Sequence, residues 1–262
     1  MPQRVLMAED IAINRRIQQA QLEPLGVEVQ TVINGAQALE SCATGQVDLA
    51  VLDLVMPGMD GFTACQSLRE DPRTARLPVL VLTALAGDAK ARSLAAGADD
   101  FMRKPANSLM LQHRITNLLE VGAFERAWEG ALPAPRGTLL TVSPAPHVRS
   151  LLGAQMRDLG TALECASLEA GWGQLLAERP AVVALDWALG PTAVRDFTLR
   201  MKVEPALADM PVLLLHPLAD LPVIEANPPA VDDFLDVPLQ SADVRHRVSL
   251  MLRLARARRA SA

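Results

Sequence analysis

Five residues in the first half of the sequence have the types and spacing to do chemistry together: the adjacent acids Glu9 and Asp10, the aspartate Asp53, the hydroxyl of Thr83 and the amine of Lys104. Each follows a short apolar run. Carboxylates brought close repel one another, and a cluster of them is tolerable where a hard divalent cation neutralises it. Mg²⁺ suits such a cluster best, because it takes oxygen ligands, keeps several waters and commonly bridges carboxylates to a phosphoryl group. A metal, a lone nucleophilic carboxylate, a hydroxyl and a lysine are together the parts for phosphoryl transfer onto an aspartate. Singly, each is weak: a strand-end threonine is more often a cap, and Lys104-Pro105 alone reads as a solvated loop.

Such groups meet only if the strands that carry them end at one edge. Residues 4–8 are apolar and break off at Glu9-Asp10, after which Ile11, Ile17, Ala20 and Leu25 recur at helical spacing until Gly26. Asp53 ends the continuous apolar run 49–52, which reads as a strand buried on both faces of a parallel sheet, and it leads into the turn Met56-Pro57-Gly58. Further strands are predicted over 27–32, 79–82 and 99–103. Helices are predicted over 36–43, 62–70, from Gly87 to 96, and from Ser108 past Leu119. Five strands alternating with five helices imply a doubly wound parallel sheet, since parallel neighbours need helical crossovers. In such α/β sheets ligands bind at the carboxyl ends of the strands, where these residues are expected to converge.

The chain has 262 residues, half of them hydrophobic and 21% charged, which is a soluble globular composition with room for two domains of ordinary size. A net charge of −5 gives no general attraction to nucleic acid or an anionic membrane, although residues 253–259 form a local basic patch. No apolar run approaches the roughly 18 residues of a membrane span. Glu9-Asp10 interrupts any signal-peptide reading of the start, so a cytoplasmic protein that binds neither nucleic acid nor membrane is expected. Cys42, Cys65 and Cys165 are odd in number and lack CxxC spacing, and each falls in a predicted helix or strand, which marks them as core thiols.

After residue 122, Gly130, Pro133, Pro135 and Gly137 give a linker composition. The sequence then repeats itself. Pro78-Val79-Leu80-Val81-Leu82 returns as Pro211-Val212-Leu213-Leu214-Leu215, and Asp99-Asp100-Phe101 returns as Asp232-Asp233-Phe234, both 133 positions on. The same offset carries Asp53 onto Asp186. The expected organisation is one domain over 1–122, a linker over 123–136, and a second copy with a C-terminal helix over 137–262.

The acidic pair Glu9-Asp10, the run from Asp53 through Met56-Pro57 to Asp60-Gly61, Thr83-Ala84 and Lys104-Pro105 resemble the signature of receiver domains of bacterial two-component response regulators, over about residues 3–121. That resemblance implies an α/β, flavodoxin-like (βα)5 fold with strand order 2-1-3-4-5, for both copies. It implies that Asp53 is the phosphoacceptor, that Mg²⁺ binds Asp10, Asp53 and the Val55 carbonyl with Glu9 assisting through water, that Thr83 follows the phosphoryl oxygen, and that Lys104 pairs with it. Phe101 occupies the position of the family's switch aromatic; it lacks the hydroxyl of the commoner tyrosine, and the chain contains no Tyr. The implied phosphodonor is a histidine kinase or histidine phosphotransferase. Output would run through changed domain packing, a homodimer, an output domain or a downstream protein.

The second copy resembles a receiver that has lost its chemistry. Ser143-Pro144 replaces the acidic pair, His216 the threonine and Val237 the lysine, and only Asp186 survives. Its phosphoryl charge would be poorly compensated. Pro222, Pro228 and Pro229 are expected to shorten or break its fourth helix. Gly97-Ala98-Asp99-Asp100-Phe101 superficially resembles the GGDEF signature of diguanylate cyclases, but Lys104-Pro105 places it on the fifth strand of a receiver, so no cyclase activity is expected and the chain is read as a phosphoacceptor signalling protein, not an enzyme. An active receiver followed by a degenerate one nevertheless resembles the regulatory half of PleD-type diguanylate cyclases. The alternative is a Mg²⁺-dependent phosphatase of haloacid-dehalogenase type using Asp53 as nucleophile, which usually places a second acid two residues on, where this sequence has Val55.

Overall fold

In the computed structural model, which describes residues 2–261, the chain divides into two units, the first ending at Gly130 and the second beginning at Ala131. The first unit runs β1 (Arg4–Ala8), α1 (Ala12–Leu22), β2 (Glu28–Val32), α2 (Gly35–Ala43), β3 (Leu49–Leu52), α3 (Gly61–Glu70), β4 (Val79–Thr83), α4 (Ala89–Ala95), β5 (Asp100–Arg103) and α5 (Ser108–Ala127). Its sheet is parallel with order β2-β1-β3-β4-β5. The register sets Ala8 beside Leu52 and Thr83 beside Arg103, so the ends of β1, β3, β4 and β5 lie along one edge. β3 and β4 are buried throughout, which is why they read as unbroken apolar runs; edge strand β2 exposes most of its residues.

The second unit repeats this plan as β6 (Gly137–Val142), α6 (Pro146–Gln155), β7 (Gly160–Cys165), α7 (Leu168–Glu178), β8 (Val182–Asp186), α8 (Pro191–Val203), β9 (Val212–Pro217), α9 (Leu221–Ala226), β10 (Asp233–Val237) and α10 (Ser241–Ser261). Its order, β7-β6-β8-β9-β10, is that of the first sheet, and β6, β8, β9, β10 and α10 each start 133 positions after their counterparts. Both units are flavodoxin-like. The cis peptide bonds Lys104-Pro105 and Val237-Pro238 also occupy matched positions.

Local sequence explains the helix starts. Asn34, Asp60 and Asn107 precede α2, α3 and α5, and each accepts a hydrogen bond from the backbone N–H three residues on, satisfying a donor the helix cannot. The three thiols lie on α2, α3 and β7 and are buried.

Three expectations need correction. The stretch 123–136, read as linker, is helical at its start: α5 continues through Gly122 to Ala127. Gly122 does not end the helix; a Cβ there would lie 2.2 Å from Pro78 Cγ, so glycine lets α5 close onto the start of β4. The prolines of the second copy do not break α9 and leave it one residue shorter than α4, because Pro222 sits in the first turn, where its missing N–H costs nothing, and Pro228-Pro229 follow the end. Finally, the apolar periodicity of α1 marks its outer face. Ile11, Ile13 and Ile17 are more than half exposed, whereas the buried side carries Gln18 and Leu22.

Candidate functional site

The site is built on the ends of β1, β3, β4 and β5 in the first unit. Glu9 and Asp10 follow β1, Asp53 follows β3, Thr83 ends β4 and Lys104 follows β5. Carboxylate oxygens of Glu9, Asp10 and Asp53 all lie within 4.8 Å of one another. Lys104 Nζ donates to Glu9 Oε2 and to Asp53 Oδ2. Glu9 and Asp53 are buried, Asp10 is exposed, and the lysine is largely covered. Two carboxylates withdrawn from water would destabilise the fold if unpaired, so the ammonium between them is a structural requirement as much as a chemical one.

Backbone geometry aims Asp53. Its Oδ1 accepts from Val55 N at 3.2 Å, which turns the chain sharply after β3. A Cβ on Gly61 would stand 2.1 Å from the Asp53 carbonyl oxygen, so only glycine allows the N-terminus of α3 to close against the aspartate's own backbone. Thr83 is fully buried, and its hydroxyl accepts from Leu85 N at 3.3 Å. Lys104 N donates to Thr83 O at 2.8 Å, which links the loops after β4 and β5. Phe101 is buried in the core cluster, its carbonyl held by Arg114. Val55, where a haloacid-dehalogenase-like enzyme would carry its second acid, is an exposed valine.

The structure thus brings Glu9, Asp10, Asp53 and Lys104 into one cluster, sets Thr83 on the strand between the aspartate and the lysine, and leaves Phe101 in the apolar core. Sequence reasoning missed three residues around this cluster. Asn14 and Gln18 reach from α1 to Glu9, at 2.9 and 3.2 Å. Their spacing of four residues, in line with buried Leu22, was the available signal. Arg15 was also missed; it ties the loop by donating to the carbonyls of Glu9 and Asp10. Oxygen donors alone, from carboxylates on separate loops, are the set that a hard cation such as Mg²⁺ takes, and the residues present fit it.

At the matched place in the second unit, Asp186 is buried but holds neutral partners. Ser143 Oγ donates to its Oδ2 at 2.6 Å and Ala188 N to its Oδ1 at 2.9 Å. His216 is fully buried, with Nδ1 3.0 Å from the Pro217 carbonyl. Among the described residues the only grouping of three or more metal-competent acids, histidines or cysteines is the one in the first unit.

The model of the response regulator receiver domain matches residues 5–116. Response regulator PleD of Caulobacter vibrioides is 41% identical over 119 residues, 45% of this chain and 26% of that protein. The DNA-binding dual master transcriptional regulator RpaA of a Synechocystis species is 39% identical over 120 residues, 45% of this chain and 49% of that protein. The chain therefore spans about a quarter of the first relative's length and about half of the second's. Among solved structures, the receiver domain of a Pseudomonas aeruginosa sensor histidine kinase, with a magnesium ion in its active site cleft, is 31% identical, covers 45% of this chain and 98% of its own, and superposes with a TM-score of 0.43. Residues 5–116 belong to the response regulator receiver family, and the chain carries them as the first of two units of the same flavodoxin-like fold.

Proposed function

We propose that the first unit accepts a phosphoryl group on Asp53 and that the chain relays this as a signal. The observation that carries the reading is the lysine amine bridging the Glu9 and Asp53 carboxylates beside Asp10, at the edge where β1, β3, β4 and β5 end. A carboxylate oxygen of Asp53 attacks phosphorus, a P–N bond to a donor histidine breaks, and the electron pair leaves on the imidazole nitrogen, which takes a proton. Lys104 compensates charge on the phosphoryl oxygens, and Thr83 offers its hydroxyl from the adjacent strand. Asp10, Asp53 and the Val55 carbonyl would hold Mg²⁺, with Glu9 outside them; the cation would supply charge neutralisation for the transferring group.

The donor is proposed to be a protein, a histidine kinase or histidine phosphotransferase. Exposed Ile11, Ile13, Ile17, Val55 and Leu85 lie on α1 and on the loops that carry the site, a rim that a protein would cover and a small metabolite would not. Output is proposed to run through altered packing, dimerisation or an attached or separate effector, and the second unit is proposed to be an interaction module without phosphorylation chemistry.

The test is incubation of the full chain with a small phosphodonor and Mg²⁺, followed by intact-mass measurement. One added phosphoryl group is expected, lost in Asp53→Asn and retained in Asp186→Asn. A mass gain that persists in Asp53→Asn would overturn the assignment.

A further inference from the structure

The carboxylate of Glu9 has all its acceptor positions filled. Oε1 takes Ile11 N at 3.3 Å and Asn14 Nδ2 at 2.9 Å, and Oε2 takes Gln18 Nε2 at 3.2 Å and the Lys104 amine. A carboxylate offers about four lone-pair sites, so an additional partner would have to displace one of these donors. Asp10 differs: it is exposed, and no described hydrogen bond ends on its carboxylate.

Gln18 is the unusual member. It lies four residues before Leu22 on the buried side of α1, where an apolar side chain would pack without desolvating an amide. A buried amide costs free energy unless it is hydrogen-bonded, and its described side-chain bond goes to Glu9, on the oxygen that also holds the lysine. An approximately 420 Å³ groove lined by Asn14, Gln18, Leu82 and Lys104 opens beside it.

We propose that Gln18 is a positioning residue that fixes Glu9 Oε2 so that Glu9 serves as the dock for the Lys104 ammonium and not as a ligand of the cation. Its kinetic consequence rests on the reading of Asp53 as phosphoacceptor; the docking itself belongs to the unphosphorylated protein. Removing the amide frees Oε2 to turn, and the lysine loses its fixed seat between the two carboxylates. The cation would feel little, because Asp10, Asp53 and the Val55 carbonyl are the groups that would hold it.

The test uses the full chain as Gln18→Met, Glu9→Gln and the double variant. Three measurements are made: the Lys104 side-chain ammonium ¹⁵N signal by NMR, Mg²⁺ affinity by calorimetry, and the rate of phosphorylation by acetyl phosphate. Gln18→Met is expected to shift the Lys104 signal, to slow phosphorylation about tenfold, and to leave Mg²⁺ affinity within about twofold. The double variant is expected to be no slower than Glu9→Gln alone, since both act through one carboxylate. An unmoved Lys104 signal, additive losses, or a fall in Mg²⁺ affinity as large as that of Asp10→Ala would each overturn the proposal. If the wild-type chain takes up no phosphoryl group, the functional reading fails while the Lys104 signal still decides the docking.

Discussion

Replacing Lys104 with methionine keeps an unbranched side chain one atom shorter and deletes the charge between two buried carboxylates. Oxygens of Glu9 and Asp53 lie within 4.8 Å of each other. At that separation, with an effective dielectric near 20, their repulsion is about 3 kcal/mol. Removing one partner of a buried ion pair costs a similar amount, about 3–5 kcal/mol. The loss should therefore be about 3 kcal/mol in low salt with a chelator present, and it should fall on the first unit alone. Because a two-unit chain does not unfold in a single step, the suitable assay is hydrogen exchange read strand by strand. Amides of β1 and β3 should exchange about a hundredfold faster in Lys104→Met, while those of β6 and β8 keep their wild-type rates. Adding Asp53→Asn to Lys104→Met removes the repulsion and should recover most of the protection. Unchanged protection in Lys104→Met, or no recovery in the double variant, would refute the electrostatic account of this site.

Asp10→Ala should weaken Mg²⁺ binding strongly by calorimetry, whereas Ser143→Ala should leave it unchanged; an effect of Ser143→Ala would mean that the second unit also binds the cation. Burial pushes the Cys42 thiol up to about 12 and the Cys65 thiol up to about 11, from an ordinary value of 9.0. The folded state holds these protons more tightly than the unfolded chain, so their contribution is fully present below pH 9 and is lost as pH rises through 11 to 12. Urea midpoints of the first unit should drop over that range, less so in Cys42→Ala, and iodoacetamide at pH 8 should label neither thiol until the chain is unfolded. Beryllofluoride with Mg²⁺ should raise the molar mass by light scattering or change the small-angle scattering profile; if neither moves at saturation, the signal is read by an external partner instead.

Most of the fold was legible because parallel strands buried on both faces leave unbroken apolar runs, as at Leu49–Leu52 and Val79–Thr83. The 133-residue offset carried the runs of β4 and β5 and the aspartate Asp53 onto their counterparts in the second copy. The acids and the lysine were legible from their order at strand ends. What escaped were features decided by tertiary context. The isoleucines of α1 have helical periodicity, but periodicity does not say which face meets the sheet, and here the apolar stripe faces out while Gln18 faces in. The end of α5 was left open past Leu119, and only the approach of Gly122 to Pro78 reveals that this glycine is a packing position inside the helix. The prolines near α9 were read as breakers because sequence alone did not place Pro222 in the first turn.

The contact between Gly61 and the Asp53 carbonyl bears on whether acceptor chemistry could be built into the second copy. Its matched residue is Val194, which is buried, and α8 already begins at Pro191, ahead of the position at which α3 starts. Installing acids at Ser143 and Pro144 and a lysine at Val237 would return the missing charges, and Asp186 already accepts from the N–H two residues on as Asp53 does, but these changes would not return the glycine that lets the following helix close on the aspartate carbonyl. Side-chain reversion alone is therefore a one-way street: grafting the whole loop from Asp53 to Gly61, with its glycine, is the smallest change expected to rebuild a working acceptor there.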